Sequence, residues 1–315
     1  MGKYVLHRLG QLVLVLLGLS VLTFGLMALV PGDQAQAILG SYATPANLER
    51  LRHEMHLDES LVNQYVAWMQ GVLTGDLGHS YSMDRPVTDV VFGRLGATLL
   101  LAAAAFAICV GIGLCSGLIA SVWRGRWPDR LMTTIALLGL STPMFWLAMV
   151  LVLVFSVSLG WLPSGGMTSP YETGIVDRIR HLILPAFALG LVASGVIARV
   201  TRSSMLEVLG EDYLRTARSK GLGERRVILK HAFKNGLVSI VPVIGVQIGF
   251  LLGGAVYIET IFSWPGIGSM LVDAIQTRDL LLVQGGVLVV AVLYVLINLG
   301  ADLVQALLDP RVRAR

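Results

Sequence analysis

Apolar residues in this chain are gathered into long uninterrupted blocks, not the alternations of a soluble fold. Stretches free of Asp, Glu, Lys and Arg run from 9 to 32, 95 to 123, 131 to 171, 181 to 198, 235 to 258 and 280 to 301, and together cover 158 of 315 residues. A helix rising about 1.5 Å per residue needs about 20 apolar residues to cross about 30 Å of hydrocarbon, so the blocks predict six transmembrane helices. The block from 131 to 171 is long enough for two, but Gly160, Pro163, Gly165 and Gly166 predict one helix ending near residue 158 and a turn-rich loop after it. The first block exceeds the usual length of a cleaved signal core and runs on to Val30, Pro31, Gly32 and Asp33, so it reads as a retained first helix.

Between the first two blocks, residues 33–94 predict a small helical subdomain. Thr44 followed by Pro45 has the form of a helix cap with a first-turn proline, and Leu48, Leu51 and Met55 share one face of the helix that follows. Leu61, Tyr65, Trp68, Met69 and Val72 form a second helical stripe, which either lies on a membrane surface or packs within its own subdomain. Gly75, Asp76, Leu77 and Gly78 then break the chain. The fold class is therefore an all-α polytopic membrane protein with this subdomain between helices 1 and 2.

Composition agrees, with 55% hydrophobic and 14% charged residues where a soluble domain carries about a quarter charged. Counting only Lys and Arg, alternate flanks of the six blocks hold 17 on one side and 7 on the other. The positive-inside rule then predicts that both termini are cytoplasmic and that residues 33–94 face outward. The basic excess is divided among short loops without aromatic interleaving, which argues against nucleic acid as a partner.

What the blocks lack is equally informative. None contains an ionisable side chain at depth, and of the six histidines only His181 touches a block, at its end. Proton relays and intramembrane hydrolases need such groups. Ser141, Thr142, Ser194, Gln247, Gln284 and Asn298 are the neutral polar groups, and Ser141, Gln247 and Gln284 are candidates to line a translocation path; bonding between helices is the alternative. Gly113 with Gly117, and Gly249 with Gly253, have the spacing of close helix contacts.

The chain has no phosphate loop, nucleophile elbow, C-x-x-C or H-E-x-x-H, so it reads as no enzyme and binds no cofactor or metal of its own. His53 and His56, around Glu54 and Met55, read as a solvated helix face. Cys109 and Cys115, roughly 9 Å apart along one helix and on different faces, cannot form a disulfide. Uphill transport would need energy from another chain. An ion-coupled secondary transporter and a membrane-embedded enzyme are the competing classes.

The segment from 199 to 234 holds 9 basic and 4 acidic residues, and Gly210, Gly221 and Gly223 punctuate it into short helices. Ala217 and Gly221 give one helix a side-chain-poor face, while Arg215, Arg218 and Lys220 can pair with acidic partners. From Glu211 to Gly221 the sequence reads E-D-Y-L-R-T-A-R-S-K-G. This run resembles the cytoplasmic coupling loop of ABC importer permeases, in the form used by the dipeptide, oligopeptide and nickel group. The general pattern of that loop falls on Arg215, Thr216, Ala217 and Gly221; only Ala217 and Gly221 match it, and the departure at Arg215 is the peptide-group variant. Three further segments are similar to that group: Pro31, Gly32 and Asp33 with Gly75 to Gly78 and Arg85 to Val87; Glu259 to Gly268 with Arg278, Asp279 and Gln284; and the ending Leu308 to Arg311.

The resemblance implies a type I importer permease of the bacterial inner membrane. Residues 1–94 would be the first transmembrane helix and external subdomain, 95–308 the permease core with its coupling loop at 199–234, and 309–315 a cytoplasmic tail. It further implies four partners besides membrane lipid: a second homologous permease, two ATPase subunits on which ATP and Mg act, and an external substrate-binding protein. Arg215, Thr216, Ala217, Arg218, Lys220 and Gly221 would contact an ATPase. Di- or oligopeptides are the implied substrates, with nickel chelates and glutathione as alternatives.

Overall fold

A computed structural model describes residues 2–29, 34–39, 43–55, 57–170 and 174–308. In chain order the elements are α1 (Gly2–Ala28), α2 (Gln34–Leu39), α3 (Pro45–Glu54), α4 (Leu61–Thr74), β1 (His79–Ser80), β2 (Arg85–Pro86), α5 (Val87–Val122), α6 (Trp127–Ser141), α7 (Met144–Leu151), α8 (Ile175–Leu209), α9 (Asp212–Ser219), α10 (Glu224–Arg226), α11 (Phe233–Ile261), α12 (Ile267–Gln276) and α13 (Leu280–Leu308). π-helical turns follow α7, over Val152–Ser158, and α10, over Val227–Ala232. The chain divides into two compact units, one of residues 1–98 with 265–296 and one of 99–264 with 297–315.

Helix starts in the first unit follow local chemistry. Thr44 accepts a hydrogen bond from the Asn47 N–H with Pro45 in the first turn, and Ser60 caps α4 in the same way through Asn63. α4 stops at Gly75, whose φ of 87° is a left-handed C-cap. The Asp76 carboxylate accepts from the Gly78 N–H, turning the chain into the antiparallel β1–β2 hairpin, in which His79 faces Pro86 and Ser80 faces Arg85. The second-helix stripe packs inward from Tyr65 onward, while Leu61 is exposed: Tyr65 shares a 2.8 Å hydrogen bond with Ser20 of α1 and an edge-on ring contact with Phe24. Leu77, Val87, Val91, Ile267, Met270 and Leu282 form the core of this unit.

In the second unit α8 is the central helix, with Ala188, Leu189, Ala193 and Ile197 buried. Small residues let its neighbours come close. A Cβ added to Gly113 of α5 would lie 2.7 Å from the Ile197 Cβ, and one added to Gly117 would lie 2.5 Å from the Thr201 Cβ. The second glycine pair behaves differently, since a Cβ on Gly253 would meet nothing within 4 Å; the neighbouring Gly254 is the one that packs, against Met144 and Leu189.

Among the described residues, four helices, α5, α8, the 224–261 run and α13, are long and apolar enough to cross a membrane. The single helix expected from 131 to 158 is two, α6 and α7, which meet at 108°; counted as one broken span they make a fifth. The break falls at Thr142 and Pro143, because proline lacks an N–H and pushes the residue before it out of the helical region, and Thr142 has a ψ of 125°. The expected end near 158 stands, since the π-helical turn stops at Ser158. α1, Gly2–Ala28, carries the apolar segment Leu12–Ala28. Pro31 to Asp33, His56 and residues 309–315 lie outside the described residues.

The glycine contacts make a direct prediction. Gly117→Leu would overpack the α5–α8 contact and lower stability by roughly 1–3 kcal/mol, whereas Gly253→Ala gains up to about 1 kcal/mol of helix propensity. In thermal unfolding of the detergent-purified protein, the first variant is expected to melt below wild type and the second at or above it. Equal shifts for the two would disprove the distinction.

Candidate functional site

The segment between α8 and α11 is built around one apolar cluster. Met205 from α8, Leu214 from α9, and Val227 and Ala232 from the π-helical turn are all fully buried in it. α8 continues the first of the expected short helices without a break, so the punctuation by Gly210 separates α9 from a 35-residue helix. Leu214 is the only buried residue of α9, which therefore presents Asp212, Tyr213, Arg215, Thr216, Arg218 and Ser219 at the surface around a single anchor. Asn235 of α11 donates a 2.7 Å hydrogen bond to the Tyr213 hydroxyl and fixes the start of the helix.

The six candidate contact residues divide by role. Arg215 is 75% exposed and lies 3.3 Å from Asp212, one turn back, and the Thr216 hydroxyl donates to the Asp212 carbonyl. Lys220 is exposed. Arg218 makes two parallel hydrogen bonds to Glu224, of 3.1 and 2.8 Å, which clasp the end of α9 to the start of α10 and raise the arginine pKa above its ordinary value. Ala217 is half-buried and packs on the apolar cluster beside Leu222. Gly221 makes the turn between these helices with a φ of 78°, and a Cβ there would meet open space. The two small residues thus shape the loop itself, and the outward surface is cationic, carried by Arg215 and Lys220. Such a surface can dock to an acidic groove; it holds no nucleophile–base pair.

The polar groups of the apolar helices fall into different surroundings. Ser194 and Thr142 donate to carbonyls of their own helices, at 2.6 Å in each case. Ser141 is exposed at the end of α6, next to the α6–α7 break. Gln247 is buried in the second unit, and Gln284 is buried in the first, where its Oε1 has no hydrogen-bond partner in the chain. His181 is buried with its Nδ1 2.9 Å from the Asp177 carbonyl oxygen. Among the described residues, no three His, Cys, Asp or Glu side chains converge as a metal site would require.

Two buried carboxylates organise neighbouring elements, a role the sequence assigns to neither, although Asp279 stands in one of the segments similar to the peptide group. Asp129, buried at the start of α6, accepts hydrogen bonds from Arg202 at 2.7 and 2.9 Å, from the Gly125 N–H and from Thr133. Asp279, also buried, accepts from the Ser80 hydroxyl, the Ser82 hydroxyl and N–H, and the Leu282 N–H. The first ties α6 to α8 and the second ties the hairpin to α13. No sequence spacing relates Asp129 to Arg202, or Asp279 to Ser80 and Ser82.

The model of the binding-protein-dependent transport system inner membrane component matches residues 113–314, and that of its N-terminal portion matches residues 1–102. A putative peptide transport system permease protein of Brucella abortus is 45% identical over 313 residues, covering 99% of both chains. The dipeptide transport system permease protein DppB of Alkalihalophilus pseudofirmus is 42% identical, covering 99% of this chain and 100% of its own. The glutathione transport system permease protein GsiC of Escherichia coli is 42% identical over 99% of each. Among solved structures, a chain of the inward-facing MetNI methionine ABC transporter matches 70% of this chain and 96% of its own with a TM-score of 0.54 and 17% identity, a likeness of fold.

The turn at Gly221 can be tested on its own. Gly221→Val forces a β-branched residue to positive φ, at a cost of about 1–2 kcal/mol, while asparagine tolerates that region. Limited trypsin digestion of the purified protein is expected to cut faster after Arg215, Arg218 and Lys220 in Gly221→Val, and at nearly the wild-type rate in Gly221→Asn. Faster cutting in both would mean that backbone conformation is not what Gly221 provides.

Proposed function

The chain belongs to the family of binding-protein-dependent transport system inner membrane components, and from that membership we propose that it is one permease half of an ATP-driven importer of di- or oligopeptides. Its partners in this reading are a second permease of similar fold, two cytoplasmic ATPase subunits and an external substrate-binding protein. The observation that carries the substrate is full-length similarity to permeases named for peptide and dipeptide transport. GsiC, equal to DppB in identity, supports glutathione, itself a peptide, as the second reading.

The coupling step follows from the loop. α9, held by Leu214 and by the Arg218–Glu224 clasp, offers Arg215 and Lys220 to an ATPase groove. Closure of the ATPases on nucleotide pulls α9, and α8, which shares the Met205–Leu214 cluster with it, carries that displacement into the apolar helices. Ser141, Gln247 and Gln284 are the proposed neutral lining groups of the path. With no ionisable group at depth in the blocks, a hydrated peptide meets only dipoles there.

Three outcomes are expected. The assembled complex in liposomes accumulates dipeptide only with ATP and its binding protein, and continues when a protonophore collapses the pH gradient; accumulation driven by a proton gradient without nucleotide would refute the importer. Excess glutathione that abolishes this uptake, with the binding protein preferring glutathione, would favour the second substrate. Arg215→Glu with Lys220→Glu is expected to cut uptake by about tenfold or more through charge repulsion at the groove, with insertion retained. For orientation, in a chain lacking Cys109 and Cys115, cysteine at Gln70 is expected to react with an impermeant thiol reagent in intact cells and cysteine at Ser219 only after lysis. The reverse pattern would overturn the inward placement of α9.

A further inference from the structure

The turn between α5 and α6 gathers indoles and guanidinium groups on one short exposed segment. Trp123 is 46% exposed and Trp127 74%, and Arg124, Arg126 and Arg130 are exposed beside them. The backbone that presents these side chains is fixed. The Arg126 N–H donates to the Trp123 carbonyl at 2.9 Å, and Gly125, the third residue of that tight turn, takes a φ of 76° that favours glycine. The Arg126 guanidinium lies 5.6 Å from the centre of the Trp123 ring, so one cation is held against one indole face.

Buried contacts keep this surface cationic. Asp129 is the one carboxylate of the turn, and its oxygens are taken by Arg202 of α8, the Gly125 N–H and Thr133. Among the described residues, none of the three exposed arginines is ion-paired. Apolar surface flanks the charges on both sides, since Ile119 and Val122 of α5 are each 40% exposed and Leu131 of α6 is 44% exposed.

These features call for different parts of one ligand. An indole favours the boundary between hydrocarbon and water, an apolar flank favours acyl chains, and a guanidinium makes paired hydrogen bonds to a phosphate. A phospholipid with net negative charge supplies all three. A free phosphate would answer the arginines and leave the indoles and apolar flanks in water. An acidic protein surface would do the same for the flanks, which belong to the apolar helices on either side of the turn.

We propose that the α5–α6 turn is a binding site for an anionic phospholipid, with its phosphate among Arg124, Arg126 and Arg130 and its acyl chains along the exposed apolar residues of α5 and α6. Trp123 and Trp127 set the depth of the headgroup. The site differs from the general attraction of basic loops to a membrane, because its charges stand on a turn whose shape is set by the Gly125 and Asp129 contacts. It does not depend on what the protein transports.

The probes are dioleoylphosphatidylglycerol, which carries one negative charge, and dioleoylphosphatidylcholine, which has the same chains and no net charge. Each is titrated into the full chain in uncharged detergent, and bound lipid is counted by native mass spectrometry. A basic side chain near an anionic lipid surface adds roughly fivefold in affinity, so three predict a preference of about tenfold to a hundredfold for phosphatidylglycerol. Arg124→Gln with Arg126→Gln and Arg130→Gln is expected to abolish that preference and leave phosphatidylcholine binding unchanged, which general unfolding would not do. Arg225→Gln with Arg226→Gln and Lys230→Gln removes three other exposed basic residues and is expected to keep the preference. Equal affinity of the wild-type chain for the two lipids, or equal loss in the two triple variants, would overturn the site. Competition by soluble glycerophosphoglycerol would assign it to a free phosphate ester. Loss of ATPase co-purification in the first variant, with the lipid preference intact, would assign the turn to a protein contact.

Discussion

Close backbone approach to α8 is the constraint on which the second unit depends. Lipid tails are as apolar as leucine, so helices in a membrane gain little from hiding hydrophobic surface from one another and must associate by packing and hydrogen bonds. Packing needs short distances. A Cβ on Gly190 would lie 2.5 Å from the Ala105 carbonyl oxygen, and one on Gly195 would lie 2.7 Å from that of Ala136, so α8 meets α5 and α6 where it has no side chain. Where α6 and α8 leave the apolar blocks, the Asp129–Arg202 pair takes over. A partly buried pair of this kind contributes geometry more than net stability, because desolvation offsets much of the attraction.

The same helix sets the place of the proposed coupling element. α8 does not stop where its apolar block ends; it runs to Leu209 and delivers Met205 into the cluster that anchors α9. An eight-residue helix would be marginal alone, and α9 persists because Leu214 is fully buried on that platform. Displacement of α9 is therefore resisted by tertiary contacts with α8 and the π-helical turn, a suitable arrangement for passing on mechanical work. Arg215, Arg218 and Lys220 stay outside the cluster, where their charges remain hydrated.

In the first unit the equivalent organising contact is Asp279. Its carboxylate collects hydroxyl and N–H donors from Ser80, Ser82 and Leu282, so one buried group caps α13 and holds the β1–β2 hairpin to it. Gln284 lies one turn or so further along α13, and the hairpin residues His79 and Tyr81 join it in lining a cavity of about 830 Å³. The contact that orders the hairpin thus also shapes that cavity.

Local features were legible in the sequence because their causes are local. The apolar blocks, the cap at Thr44, the break at Gly75, the helix end at Ser158 and the separation of α9 at Gly210 all follow from helix length, capping and backbone preference within a few residues. The family was legible too, since Glu211 to Gly221 and the companion motifs stand in order along one chain. Tertiary structure alone decided which of two identically spaced glycine pairs makes contact at both members, that Ala217 turns inward, that Asp129 meets Arg202, and that Trp68 and Gln284 border one cavity. Each of these depends on how far one helix is rotated and shifted against another, and that is set by the summed fit of many side chains from distant parts of the chain, which no spacing along the sequence encodes.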